Sequence, residues 1–178
     1  MKLGIMYSDT LSLDQKVDLA KYCEDHGFDS IWVGEGRLSR DAIVPLTLVA
    51  NATARIRVGS GIIPNRSRIA PLIAVTFRTL DQLAPGRIRL GLGAWWEPLA
   101  GRVGTPLRKP IRAMKEYVTV IRDMLQGKTV TFQGEFVKVE SIRFDPVDDE
   151  VRPIDVPIYI GAVGSQMIRL AGQIADGV

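Results

Sequence analysis

Ile56-Arg57-Val58-Gly59-Ser60-Gly61-Ile62-Ile63-Pro64 is the stretch that decides the fold. β-branched residues alternate with small ones, two glycines punctuate the end and a proline closes it, which is the pattern of a buried strand. Glycine inside a strand weakens it, so it marks a bulge or a close approach by a backbone or a ligand. A packing glycine in a crowded barrel is the other reading, and this stretch alone leaves both open. The following strand, Arg87-Ile88-Arg89-Leu90-Gly91-Leu92-Gly93, ends in the same way and runs into Ala94-Trp95-Trp96-Glu97. Two neighbouring strand tips of this kind point to a ligand platform.

Outward from this pair the chain alternates. Leu3 to Tyr7 reads as a first strand. Ser12 and Gln15 then have the spacing of a capping box, Leu13, Val17, Ala20 and Cys23 form a helical stripe, and Gly27 ends the helix. Ser30 to Gly34 reads as a second strand, followed by Glu35 and by a helix over 41–53 with Ile43, Leu46, Val49 and Ala50 on its buried side. Pro71 opens a third helix, with Leu72, Val75, Leu80 and Leu83 facing inward and Pro85-Gly86 as its stop. Ile111, Met114, Val118, Ile121 and Leu125 mark a long amphipathic helix closed by Gly127. Strands and helices joined by short connections imply parallel pairing and an α/β fold. Residues 130–132 and 135–137 around Gln133-Gly134 break the rhythm as a β-hairpin, inside an insertion over about 128–156. Asp145 to Glu150 reads as a solvated acidic loop whose spacing matches no calcium loop. Pro157 to Gly161 resumes the parallel series, Ser165 to Ala171 starts its helix, and Asp176-Gly177-Val178 opens a sixth strand.

Composition narrows the class. With 46% hydrophobic and 24% charged residues over 178 positions, this is the sequence of an ordinary globular domain. Every apolar run is interrupted before it could span a bilayer, and the start has no signal-peptide pattern, so a cytoplasmic location is the default. Cys23 is the only cysteine, which excludes a disulfide framework and a cysteine metal site. A net charge of +3, with dispersed arginines, gives no support for nucleic acid as a partner.

In parallel α/β folds, ligands bind at the carboxyl ends of the strands. Here those ends are Ser8-Asp9, Glu35, Ser60 to Pro64, Ala94 to Glu97 and Gly161 to Ser165. Gly161-Ala162-Val163-Gly164-Ser165 lies between a strand and a helix N-terminus, where backbone N–H groups and the helix dipole favour a phosphate. A tight turn capped by Ser165 is the alternative. The dinucleotide fingerprint fails at Gly91-x-Gly93, because Trp96 occupies the third glycine position and Pro98 and Gly101 oppose a helix opening from that turn. No Gly-x-Ser-x-Gly elbow and no histidine pair is present, which argues against triad hydrolysis and zinc chemistry. His26 reads as a surface residue at a helix end. Glu35, a carboxylate at a strand tip, is the acid–base candidate, and a salt bridge to Arg37 or Arg40 is its alternative.

These motifs in this order resemble the luciferase-like flavin and deazaflavin oxidoreductases, in the branch similar to methylenetetrahydromethanopterin reductase. The resemblance is carried by residues 27–33, 57–62, 86–93 and 170–178 and covers nearly the whole chain. It implies a (β/α)₈ TIM barrel, of which 1–178 supplies the first five strands and the start of the sixth, since such a barrel takes about 250 residues. It also implies hydride transfer between an 8-hydroxy-5-deazaflavin and a pterin-like or other small organic substrate. FMN takes the cofactor's place in the monooxygenase branch, and a chain of this length could be an inactive or partner-dependent fragment. Carried over residue by residue, the resemblance places a bulge with a cis non-proline peptide at Gly61-Ile62 beside Ser60. It places ring-lining positions at Ala94 and Trp95, a phosphate loop at Gly161, Ala162, Val163, Gly164 and Ser165, and an acidic residue near the ring at Glu35. No metal is implied. Relatives pair through their second and third helices, which makes 41–53 and 71–83 the expected homodimer interface. Gly36, where several relatives have histidine, and the Trp95-Trp96 pair are departures from the family pattern.

Overall fold

The computed structural model describes residues 2–7, 10–35, 37–146 and 152–178. Ser8, Asp9, Gly36 and most of the acidic loop at 145–150 fall outside them. The chain runs β1 (Gly4–Met6), α1 (Leu13–Asp25), β2 (Ser30–Val33), α2 (Ile43–Ala52), β3 (Arg57–Ser60), β4 (Ile63–Pro64) and α3 (Ala70–Leu83). It continues with β5 (Ile88–Gly93), α4 (Leu99–Arg102), α5 (Pro110–Leu125), β6 (Val130–Gln133), β7 (Lys138–Ile142), β8 (Ile158–Gly161) and α6 (Ser165–Ile174). The main sheet is parallel throughout, with β1, β2 and β3 side by side, β5 next to both β3 and β4, and β8 on the far side of β5. Gly177 bridges Tyr159 in parallel, which is the expected opening of a sixth strand. This is the α/β barrel order expected from the sequence.

β3 and β4 are one barrel strand interrupted by a bulge. From the Gly59↔Arg89 pair to the Ile63↔Leu92 pair, one strand advances four residues and the other three. The extra residue sits at Ser60-Gly61-Ile62, and the Gly61–Ile62 peptide is cis. Both features stand where the family resemblance puts them.

The core lies between the sheet and its helices. Ile31, Val58, Leu90, Leu92, Ile158 and Ile160 from the strands are fully buried with Leu46, Ile73, Phe77, Met114 and Ile121 from the helices. Burial of this kind contributes about 1.5–3 kcal/mol per large side chain, which is the main support of the fold. Two helices turn differently from the sequence reading. On α1 the buried residues are Lys16, Ala20 and Cys23, while Leu13 is exposed. On α3 they are Ala70, Ile73, Ala74, Phe77 and Leu80, whereas Leu72, Val75 and Leu83 face outward. Both helices carry apolar residues on more than one side, and the denser stripe faces the sheet. The Ser12–Gln15 capping box and the positive φ of 77° at Gly27 are as expected. A single helical turn, α4, forms only after Pro98, so no helix opens directly from the Gly91-x-Gly93 turn, as expected.

The hairpin is present as β6 and β7, but its connection is wider than the two-residue turn read from Gln133-Gly134. The cause lies elsewhere in the chain. The Glu116 carboxylate, on α5, accepts hydrogen bonds from the N–H groups of Glu135, Phe136 and Val137 and from Arg112 Nε. Gly134 is needed for this approach, since a Cβ there would lie 2.3 Å from Glu116 Oε2.

Candidate functional site

At the carboxyl ends of the strands, the bulge organises its neighbours. Displacing β3 from β5 leaves the N–H and C=O of Gly91 without ladder partners, and Ser60 Oγ takes both, at 2.8 and 2.9 Å. Ser60 is fully buried, so its hydroxyl is committed to the fold rather than presented to a ligand. Ile62 lays its side chain across the next two strand tips. A Cβ on Gly93 would fall 2.5 Å from Ile62 Cδ1, one on Gly161 3.0 Å from Ile62 Cγ2, and one on Gly91 2.0 Å from the Ser60 carbonyl oxygen. The glycines that suggested a platform are therefore filled from within. On the other side, Gly61 N–H donates to Val33 C=O and Glu35 N–H to Ile62 C=O, which ties the bulge to β2.

In front of this layer lies a cleft of about 980 Å³ between the β5–α5 and β8–α6 connections. Its walls include Ala94, Trp95 and Trp96 on one side and Gly161, Val163, Gly164 and Ser165 on the other, with Ile111 and Met167 between. Four smaller clefts, from about 220 to 460 Å³, open instead toward the amino ends of the strands. This larger cleft is thus at the end where parallel α/β folds bind ligands. Gly164 is the N-cap of α6, and no side chain caps that helix, so its first-turn N–H groups face outward. Ser165 is the first helical residue, not the cap. A Cβ on Gly164 would meet nothing within 4 Å, and Val163 is fully exposed.

Of the residues singled out by sequence, Ala94, Trp95, Gly161, Val163, Gly164 and Ser165 come together in this cleft. Ser60, Gly61, Ile62 and Ala162 stand behind it, and Ala162 packs against the core. Glu35 is held at one side. Its carboxylate pairs with Arg68 at 2.9 Å and accepts the Ala42 N–H at 3.0 Å, while Arg68 also reaches Asp41 at 2.6 Å. The salt-bridge reading of Glu35 is correct in kind, but the partner is Arg68, which the β4–α3 loop folds back over the tip of β2. Arg40 donates to the Leu11 carbonyl instead.

Two features escaped the sequence reading. Burial pushes the Glu116 carboxyl up, but the N–H groups of Phe136 and Glu135, Arg112 and the Val137 N–H more than offset this and hold it below the usual carboxylate range. Lys109, Arg112 and Lys115 line the cleft from α5 and its N-cap. Their signal was legible: 98–115 contains five cations and no acid. Among the described residues, no group of His, Cys, Asp and Glu could hold a metal ion, and no helix is long and apolar enough to cross a membrane.

The whole chain, residues 1–178, matches the family described as luciferase-like monooxygenase. A 5,10-methylenetetrahydromethanopterin reductase of Archaeoglobus fulgidus is 34% identical over 100% of this chain and 52% of its own length. An F420-dependent glucose-6-phosphate dehydrogenase of Nakamurella multipartita is 36% identical over 90% of this chain and 50% of its own. The solved coenzyme F420-dependent tetrahydromethanopterin reductase of Methanopyrus kandleri superposes with a TM-score of 0.88 at 28% identity, covering 99% of this chain and 55% of that one. The chain thus spans about half the length of the relatives it matches. With a family match from end to end, the chain belongs to the luciferase-like monooxygenase family.

Proposed function

We propose that this chain forms the cofactor side of an F420-dependent oxidoreductase, which moves a hydride between an 8-hydroxy-5-deazaflavin and a pterin-like or other small organic substrate. The observation that carries this reading is the cleft at the strand ends, where Ala94 and Trp95 face the Gly161–Ser165 loop across about 980 Å³. The relatives named for F420 dependence support the choice of ring. The residues present fit such a group: an apolar wall suits a planar ring, and an uncapped helix N-terminus beside unobstructed Gly164 suits a phosphate.

The cofactor, when bound, supplies the hydride chemistry of its own ring. The protein's part is positioning. Ile62 closes the floor beneath the strand tips by filling the spaces over Gly93 and Gly161, which keeps water from the back of the cleft. Ser60 holds that floor to β5. Glu35 fixes Arg68 at the edge of the strand tips, so its role is electrostatic and positional, with the proton-transfer role left to groups that approach the substrate. Titrating the 178-residue chain in parallel with the deazaflavin and with FMN, following ligand and tryptophan fluorescence, tests the reading. Saturable binding of the deazaflavin alone is expected. Binding of FMN alone would move the chain to the flavin branch, and binding of neither would overturn the reading that this chain carries the cofactor side.

We further propose that two copies pair through α2 and α3. Val44, Leu48, Leu72 and Val75 are exposed on these helices at 54%, 39%, 54% and 43%. Leu72→Asp should convert a dimer to a monomer on a sizing column while leaving the circular dichroism unchanged. A dimer that survives Leu72→Asp would contradict this. Leu46, at 1% exposure, lies under the helix and would report on folding instead.

A further inference from the structure

The turn at 65–68 follows the tip of β4, and its side chains clamp the surrounding loops. Arg66 donates to the Pro106 carbonyl at 2.6 Å, and its guanidinium carbon lies over the Phe136 ring, 5.3 Å from the centroid. The N–H and the hydroxyl of Ser67 both donate to the Pro64 carbonyl, at 3.1 and 2.8 Å. Arg68 reaches Glu35 and Asp41. Asn65 is the exception. It is 1% exposed, and neither Oδ1 nor Nδ2 of its side chain has a hydrogen-bond partner in the protein. Among the described residues, these two are the only buried side-chain nitrogen and oxygen atoms left in that condition.

The ladder fixes where this amide lies. Ile63 pairs with Leu92 and Pro64 with Gly93, and the Asn65 N–H donates to the Gly93 carbonyl at 2.9 Å. That bond carries the parallel register one step further and sets Asn65 level with Ala94. Side chains alternate along a strand, so Asn65 returns to the side of the fully buried Ile63, where the sheet meets its helices. Ala94, one strand away, both packs against the core and lines the cleft, whereas Asn65 is not part of the cleft's lining. The unpartnered amide is enclosed behind the place where the cleft wall begins.

We propose that Asn65 holds one internal water molecule at the end of β4, and that it is thereby a positioning residue for the cleft wall at Ala94 and Trp95. A buried carboxamide with no partner carries its full desolvation cost, and closed polar sites of this kind are where folded proteins keep ordered water. The amide offers one acceptor and two donors. The Gly93 carbonyl has a second lone pair beside the one that takes the Asn65 N–H. Water matches this neutral set of donors and acceptors. A metal ion does not, since among the described residues no group of His, Cys, Asp and Glu could hold one. The inference goes beyond the proposed function and needs no ligand in the cleft.

A high-resolution crystal structure of the 178-residue chain tests the site itself. Water within hydrogen-bond distance of Asn65 Oδ1 or Nδ2 and of a backbone group is expected. A dry amide, or one bonded directly to protein, would overturn the proposal. Urea unfolding tests it independently. Asn65→Leu keeps nearly the same shape but removes the anchor of the water, and it is expected to raise the unfolding equilibrium constant about tenfold. Asn65→Ser keeps a hydroxyl for the water and is expected to lose less. An Asn65→Leu protein as stable as wild type, or more so, would mean that the amide holds nothing, and would overturn the proposal. The positioning role has its own readout. In Asn65→Leu the backbone amide signals of Ala94 and Trp95 should shift while those of residues 135–137 stay, and Asn65→Ser should bring them back. Unmoved signals at Ala94 and Trp95 in Asn65→Leu would overturn that role.

Discussion

Glycines at the strand tips and glycine in the β8–α6 loop look alike in sequence and do opposite things. Gly91 and Gly93 are small because other parts of the chain occupy the space, the Ser60 carbonyl in one case and the Ile62 side chain in the other. Gly164 has nothing within 4 Å of where its Cβ would be. The first set makes a floor by interlocking, with the N–H and C=O of Gly91 both taken by Ser60. The second set leaves N–H groups and space facing a cleft. A glycine-rich strand tip is therefore evidence of a close approach, but the partner in that approach has to be identified before a ligand is inferred.

Substitutions should separate the two sets, and the largest effect is expected at Gly91. Gly91→Ala sets a Cβ against backbone that cannot move away, so it should cost more than about 4 kcal/mol and yield insoluble protein. A soluble Gly91→Ala protein with wild-type melting would break the interlocking account. Ser60→Ala leaves the buried N–H and C=O of Gly91 unsatisfied together and should cost about 2–4 kcal/mol, measured by urea unfolding. Glu116→Ala strands the N–H groups of the hairpin connection and should cost about as much, about 2–4 kcal/mol.

Glu116 also supplies a pH test. Its folded-state pKa is lowered, so its contribution is complete above the unfolded carboxyl value of about 4.3 and is lost as pH falls through the lower folded value. Wild type should lose stability through that window, and Glu116→Gln should flatten the loss. An unchanged acid profile in Glu116→Gln would show that the clasp contributes nothing to acid sensitivity. The smallest effect on stability belongs to Gly164→Ala, within about 0.5 kcal/mol of wild type, because the added methyl meets nothing. The same change should weaken deazaflavin binding, and equal binding would remove the loop from the site.

The legible parts of the fold were those set by neighbours in sequence. The Ser12–Gln15 capping box, the Gly27 stop and the stripe of α5 are decided within a few residues, and they came out as read. What was illegible depended on distant partners. The width of the hairpin connection is set by Glu116, which lies on α5 before the whole of β6, and no feature of Gln133-Gly134 reports it. Glu35 meets Arg68 rather than Arg37 or Arg40 because the loop after the bulge folds back. The face of α3 was misjudged because Leu72 and Val75 are as apolar as Ile73 and Phe77, so periodicity alone did not choose between them. At the site, the loop after β8 and the residues after β5 could be read from their position at strand ends, since the parallel topology fixes which end is used. Ser60 and Ile62 lay in the same place by that rule, and only the register slip shows that they face into the protein.

Amide chemical-shift mapping of the 178-residue chain with added deazaflavin tests the distinction between floor and cleft most directly. The account expects saturable shifts at Ala94, Trp95, Gly164 and Ser165, with the indole signals of Trp95 and Trp96 moving alongside, while Ser60 and Gly91 stay in place. Shifts centred on Ser60 and Gly91, with the Gly164 loop unmoved, would contradict it, and would make the strand-tip glycines the binding surface after all.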